Sequence, residues 1–89
     1  MPDRGEALAR FGRNLRSPRL AAGLSQEELA VRAGVSRSYV GRLEAGVSEC
    51  RFITAMALAD GLGVGIEDLI DGIASAPDAG RTPDQGGRE

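Results

Sequence analysis

The sequence predicts an all-α fold, a compact bundle of five helices within residues 1–73. Five segments repeat apolar residues at the spacing of an amphipathic helix, and no segment alternates apolar and polar residues as a half-buried strand does. Glycine follows four of the segments, where a residue in the left-handed conformation commonly ends a helix. These glycines are Gly23, Gly34, Gly46 and Gly63.

The first predicted helix covers about residues 5–22 and contains a proline. Its apolar face consists of Leu8, Phe11 and Leu15. Pro18 lacks an amide donor and clashes with the preceding helical turn. We therefore expect a kink or a restart, with Ser17 as the N-cap and Pro18 as the first helical residue.

Serine residues mark the starts of the second and third helices. Ser25 and Glu28 match the S-x-x-E capping box, in which each residue accepts a hydrogen bond from the other's backbone. Ser36 is the expected N-cap of the third helix, which runs to about Ala45. The inner face of the second helix consists of Leu29, Ala30 and Ala33.

Two apolar stripes predict the last two helices. The fourth helix spans about residues 52–62 and the fifth spans residue 66 to about residue 73. The fourth carries Phe52, Ala55, Met56, Ala59 and Leu62. The fifth carries Ile66, Leu69, Ile70 and Ile73. We expect the stripe of the fifth helix to be divided between the core and a homodimer interface.

The composition of the sequence limits the size of the core and indicates where the protein is located. Apolar residues make up 42% of the 89 residues but aromatic residues only 3%, so the core is thin and gains from pairing with a second copy. Residues 74–89 lack an apolar stripe and are rich in glycine and proline, which predicts a disordered acidic tail. The longest apolar run, residues 55–59, is too short to cross a membrane. We expect a cytoplasmic protein.

Cys50 is the single cysteine, which excludes an internal disulfide and fits a reducing compartment. A redox-sensing role and an inert loop thiol both remain open for it. An enzyme is not expected, because the sequence contains no histidine, no glycine-rich phosphate loop and no cluster of metal ligands. We also expect no cofactor and no small-molecule ligand.

Charge is distributed unevenly along the chain. The net charge is −2, but residues 1–65 contain nine arginines and seven acidic residues, and residues 66–89 contain two arginines and six acidic residues. The part predicted to fold is therefore mildly basic. A nucleic-acid partner depends on the charge of the docking face rather than on the total.

The third helix has one apolar and one polar face. With about 100° per residue, Val40 and Leu43 face inward, while Ser38 and Arg42 lie on the opposite side and Arg37 opens the first turn. A short helix that follows a glycine turn and exposes such residues has the geometry that enters a DNA major groove. Arginine suits guanine, because its two donors match two acceptors on that base.

The segment GLSQEELAVRAGVSRSYVGRLEAG, followed by ALADGLGVGIEDLI, resembles the Cro/C1-type (XRE-like) helix-turn-helix family over about residues 8–71. The resemblance implies a lambda-repressor-like bundle with a central helix-turn-helix. It also implies double-stranded DNA as the partner. Two-fold pairing of such units suits a palindromic operator.

The resemblance assigns roles to individual residues. The side chains expected at base edges are Arg37, Ser38 and Arg42. Those expected at phosphates are Gln26, Ser36, Tyr39 and Arg51. Arg19 and Glu44 match a pair that ties the first helix to the end of the third. The expected dimer interface comprises Ile66, Leu69, Ile70 and Ile73.

The expected function is a homodimeric transcriptional regulator, such as a restriction–modification controller, a Cro-like repressor or an antitoxin. The alternative is a protein-interaction module, an adaptor or antitoxin whose main partner is a protein. Substitution of Arg37 and Arg42 distinguishes the two, because only a regulator would lose specific DNA binding while remaining folded.

Overall fold

The computed structural model describes residues 3–73, which fold into five helices. They are α1 (Arg4–Ala21), α2 (Gln26–Ala33), α3 (Arg37–Glu44), α4 (Phe52–Leu62) and α5 (Ile66–Leu69). No strand occurs between residues 3 and 73, and the predicted all-α fold is confirmed. The tail predicted for residues 74–89 lies outside the described residues.

Helix α1 continues through Pro18 without interruption, so the predicted restart with Ser17 as N-cap is wrong. Packing on both sides of the proline explains the difference. Leu15, about one turn before the proline, is fully buried, and Arg19, directly after it, is only 7% exposed. The amide of Ala22 still bonds to the Pro18 carbonyl at 2.9 Å. The proline therefore removes one backbone hydrogen-bond donor, but the helix continues because residues on both sides of the proline are held by packing.

The predicted caps of α2 and α3 are confirmed. The Ser25 hydroxyl accepts a hydrogen bond from the Glu28 amide at 3.0 Å, and the Ser25 amide donates to the Glu28 carboxylate at 2.7 Å. Gly34 ends α2 with φ +73°, a left-handed conformation that suits glycine. The Ser36 hydroxyl accepts from the Tyr39 amide at 3.0 Å and begins α3.

Helix α4 has its predicted bounds, but its buried face differs from the predicted stripe. The buried residues are Ala55, Leu58, Ala59 and Leu62. Phe52 and Met56, expected inside, are 68% and 46% exposed, and Leu58 is fully buried instead. The sequence FITAMALADGL is apolar around most of the helix, so its periodicity does not single out one face.

Helix α5 ends at Leu69, four residues earlier than predicted. Side chains from α1 occupy the carbonyls at this end: Asn14 Nδ2 donates to the carbonyls of Leu69 at 2.8 Å and Asp71 at 2.9 Å. Arg10 Nε donates to the Asp71 carbonyl at 3.1 Å. Gly72, with φ +76°, turns the chain away from the helix axis.

A small aliphatic core joins the helices. Helix α2 packs against α3 and α4, and α1 packs against α3. The largest fully buried side chains are Leu15, Leu29, Val40, Leu43, Leu58 and Leu69. Phe11 is the one aromatic side chain among the buried residues of 3–73, and alanines fill the remaining space. No helix in the described part of the chain is both long and apolar enough to span a membrane.

Gly12 permits a close crossing of α1 and α3. A Cβ atom built on Gly12 would lie 2.6 Å from the Glu44 carbonyl oxygen and 2.7 Å from that of Leu43. Both are backbone atoms, so no side-chain rotation would relieve the contact. The absence of a side chain at this position therefore sets how near α1 lies to the end of α3.

Candidate nucleic-acid interface

Helix α3 is oriented by its buried side. Val40 and Leu43 are fully buried, and a 3.0 Å hydrogen bond from the Val35 amide to the Ala30 carbonyl closes the turn after α2. The opposite face of α3 is exposed to solvent. It presents the three predicted base-reading side chains, Arg37, Ser38 and Arg42.

Arg37 lies in the first turn of α3 with its side chain exposed. Within residues 3–73 its guanidinium has no hydrogen bond or ion pair to another side chain. The N–H donors of its guanidinium are therefore available to a partner that approaches the exposed face of α3.

Arg42 is held by its neighbours. Its Nη1 donates to Ser38 Oγ at 2.8 Å, and its Nε donates to Ser48 Oγ at 3.2 Å. Its guanidinium carbon lies 5.6 Å from the centre of the Tyr39 ring, within the range of a cation–π contact. Sequence reasoning placed Ser38 and Arg42 on one face. It did not find Ser48, because that residue lies in a loop without periodicity.

Tyr39 connects α3 to the segment that follows it. Its hydroxyl donates to the Glu49 carbonyl at 2.8 Å, and its ring is partly buried. Burial raises the pKa of Tyr39, and the neighbouring Cys50 thiol adds to that increase. Burial also raises the pKa of Cys50, so its thiol stays protonated at neutral pH.

Arg19 and Glu44 form a bidentate ion pair beneath the surface. Arg19 Nε lies 2.6 Å from Glu44 Oε2, and Arg19 Nη2 lies 2.9 Å from Glu44 Oε1. Gln26 Nε2 donates to the same Oε1 at 3.1 Å. The hydrogen bond to Glu44 raises the pKa of Arg19 against the opposing effect of burial. The pair joins α1, α2 and α3 through one carboxylate.

The residues predicted to contact phosphate lie around α3, and they differ in burial and in hydrogen bonding. Gln26 is partly buried and turned toward Glu44, while Ser36 is exposed and uses its oxygen as a cap. Arg51 is exposed at the start of α4. Glu49, an acidic residue in the same loop, pairs with Arg4, whose Nε is 2.6 Å from Glu49 Oε2. That pair reduces the repulsion a phosphate would meet there.

An apolar groove lies beside the same loop. Its large apolar lining residues are Leu8, Phe11, Phe52, Ile66, Ile70 and Ile73, and Cys50 and Glu49 also line it. Of the four residues predicted for the dimer interface, Leu69 is fully buried in the core and contributes no surface. Ile70 is 51% exposed, and Ile66 and Ile73 are partly buried. No group of residues within 3–73 is arranged to hold a metal ion.

A family profile described as a helix-turn-helix domain matches residues 10–71, most of the chain. The chain belongs to the XRE-like helix-turn-helix family. Proteins of this type are DNA-binding transcription regulators, and this XRE-like protein has the same domain.

Solved structures of similar fold agree with this assignment. The restriction–modification controller protein C.AhdI from Aeromonas hydrophila is 42% identical to this XRE-like chain, covering 70% of this chain and 94% of its own, with a TM-score of 0.68. The hypothetical transcription factor NHTF from Neisseria is 33% identical, with coverages of 79% and 80% and a TM-score of 0.70. The clp gene regulator ClgR from Corynebacterium glutamicum is 30% identical, with coverages of 71% and 67% and a TM-score of 0.69. Among curated proteins, none matches the sequence.

Proposed function

We propose that this protein is a sequence-specific transcription regulator that binds a palindromic operator as a homodimer, with α3 in the major groove. The observation that carries the proposal is the two-sided arrangement of α3. Arg37 and Arg42 lie on its solvent face, while Val40 and Leu43 fix its other face in the core. A rigid helix presenting guanidinium groups is suited to reading guanine edges.

The surroundings of α3 suit a phosphate backbone. Arg51 and Ser36 lie exposed near α3, at the starts of α4 and α3, and Gln26 lies at the start of α2. Phosphate contacts supply affinity that falls with salt, whereas the base contacts of Arg37 and Arg42 supply sequence preference. The buried ion pair of Arg19 and Glu44 joins α1 to the end of α3 beneath this surface.

The apolar groove supports the homodimer. Phe52 and Ile70 are large, exposed residues that line it, and Met56 is a further exposed apolar residue on α4. A second copy using the same surface would form an interface with two-fold symmetry. Such pairing would place two α3 helices about 34 Å apart along DNA, one helical turn.

Similarity to C.AhdI favours a controller of restriction–modification genes as the biological setting. The match extends over 94% of that protein at 42% identity. Genes adjoining the coding sequence of this chain would test that setting directly: a neighbouring pair for a methyltransferase and an endonuclease is the expected arrangement.

Selection of duplexes from a randomised library by the purified full chain tests the DNA-binding proposal. We expect enriched sites with two-fold symmetry and guanines in each half-site. Arg37→Ala and Arg42→Ala should each weaken binding to the selected duplex about tenfold or more, because a good arginine–guanine pair contributes about 1–3 kcal/mol. Both variants should remain folded.

Arg16→Ala is the matched control, because it removes the same charge from an exposed position on α1. It should preserve the preference for the selected duplex over random competitor. Enriched sites without guanine or symmetry would contradict the proposal. A folded, self-associating protein that prefers no duplex would instead indicate the protein-interaction module.

A further inference from the structure

Ser48 lies between α3 and α4, outside the helix-turn-helix itself. Its Oγ accepts a hydrogen bond from Arg42 Nε at 3.2 Å. Ser38, on the helix, accepts a second hydrogen bond from Arg42 Nη1 at 2.8 Å. One guanidinium is thus held from two directions, by its own helix and by the loop that follows it.

We propose that Ser48 is a positioning residue that holds Arg42 in the orientation used for base recognition. The inference rests on the proposed function and adds a determinant of its specificity. An arginine side chain has many rotamers, and fixing them on binding costs conformational entropy. A guanidinium that is ordered before the duplex arrives loses less of that freedom, so more of its contact energy appears as affinity.

The contacts with the two serines leave the recognition end of Arg42 available. A guanidinium has five N–H donors. Ser48 uses the single donor on Nε and Ser38 uses one on Nη1, which leaves three donors on the two terminal nitrogens. A bidentate contact with O6 and N7 of guanine needs two of them. The serines therefore orient the arginine without competing for the base.

The loop that carries Ser48 is itself fixed. The next residue, Glu49, accepts a hydrogen bond from the Tyr39 hydroxyl at 2.8 Å through its carbonyl. Its carboxylate pairs with Arg4 at 2.6 Å. Tyr39 also places its ring against the Arg42 guanidinium, 5.6 Å from the ring centre. Ser48 thus holds Arg42 from a segment that is attached to both α1 and α3.

Ser48→Ala and Ser48→Thr test this role on the full chain. The measured quantity is the ratio of affinities for the duplex selected by the wild-type protein and for random duplex of equal length. Ser48→Ala should lower this ratio about three- to tenfold, the size expected for one hydrogen bond, with affinity for random duplex and the unfolding midpoint unchanged. Ser48→Thr keeps the hydroxyl and should restore the ratio. Ser17→Ala, an exposed serine on α1, is the matched control.

Two further measurements separate positioning from a general structural role. In an Arg42→Ala background, Ser48→Ala should cause no additional loss of discrimination, because its effect passes through Arg42. In the free protein, nitrogen-15 relaxation of the Arg42 Nε–H group should report greater mobility in Ser48→Ala and normal mobility in Ser48→Thr.

The outcomes distinguish this inference from the function on which it rests. A wild-type protein that selects no duplex overturns the proposed function and this inference with it. A wild-type protein that selects a duplex, with discrimination unchanged or increased in Ser48→Ala, overturns the positioning role alone. An equal loss in the Arg42→Ala background also overturns it.

Discussion

Gly12 and Gly41 both lie inside helices, but a methyl group added to each would meet different surroundings. At Gly12 the added Cβ would lie 2.6 Å from the Glu44 carbonyl oxygen. At Gly41 its nearest neighbour would be the Gln26 side-chain oxygen at 3.5 Å, an ordinary van der Waals distance. A comparison of glycine-to-alanine substitutions at these two positions therefore isolates the effect of the close crossing between α1 and α3.

We expect Gly12→Ala to destabilise the fold by about 1–3 kcal/mol, because backbone atoms must move apart to admit the methyl group. Gly41→Ala, the matched control, should stabilise the free protein by about 0.5–1 kcal/mol through the lower backbone entropy of alanine in a helix. Urea unfolding measures both changes. A Gly12→Ala protein as stable as the wild type would show that the crossing tolerates a side chain.

At the scale of elements, the capping box at the N-terminus of α2 makes the stability of the protein depend on pH. Hydrogen bonds from the Ser25 amide and hydroxyl hold the pKa of Glu28 below its ordinary value of 4.5. The folded pKa is lower than the unfolded one, so the stabilisation is complete above pH 4.5 and is lost as pH falls through the folded pKa.

Glu28→Gln should therefore reduce the loss of stability between neutral pH and acid. Glutamine also serves in a capping box, so the helix start is retained without the titrating group. Urea unfolding at pH 7 and below pH 4.5 measures the difference. Glu27→Gln, in the same exposed turn but outside the capping box, is the control. Equal acid sensitivity of Glu28→Gln and the wild type would contradict the assignment.

The features predicted from sequence are those determined by neighbouring residues. Ser25 and Ser36 begin helices through hydrogen bonds to residues three positions away, and such bonds have a recognisable pattern. The outward face of α3 follows equally from helical spacing. Gln26, Ser36, Tyr39 and Arg51 were assigned to phosphate by resemblance, and those roles remain predictions.

The features that sequence reasoning missed depend on contacts between distant segments. Asn14 ends α5 by bonding to a carbonyl 55 positions away, and Arg4 reaches Glu49 across 45 positions. The need for glycine at position 12 arises from the backbone at the end of α3. No local pattern encodes these pairings. The Ser48 contact is nearer in sequence, but the loop conformation that creates it has no periodicity to reveal it.

At the scale of the whole molecule, the apolar groove predicts self-association. Ile70→Glu should convert the proposed dimer to a monomer, weakening association at least about a hundredfold, because two unpaired charges would be buried in a symmetric interface. Its side chain is 51% exposed in the single chain, so the fold should remain intact. Sedimentation equilibrium measures the change.

Val31→Glu is the control for that experiment, because Val31 is exposed on α2 and does not line the groove. It should leave the oligomeric state unchanged. A dimer that survives Ile70→Glu, or one that dissociates equally in Val31→Glu, would place the interface elsewhere on the molecule.

The connection between α3 and α4 borders two surfaces at once. On one side Ser48 contacts Arg42, and a few residues later Cys50 and Phe52 line the groove. If the protein acts as proposed, mutations made in this connection to change operator preference would therefore disturb the proposed subunit pairing as well. The proposed roles would then be altered one at a time by substituting Arg37 for target choice and Ile70 for assembly, with the connection left as it is.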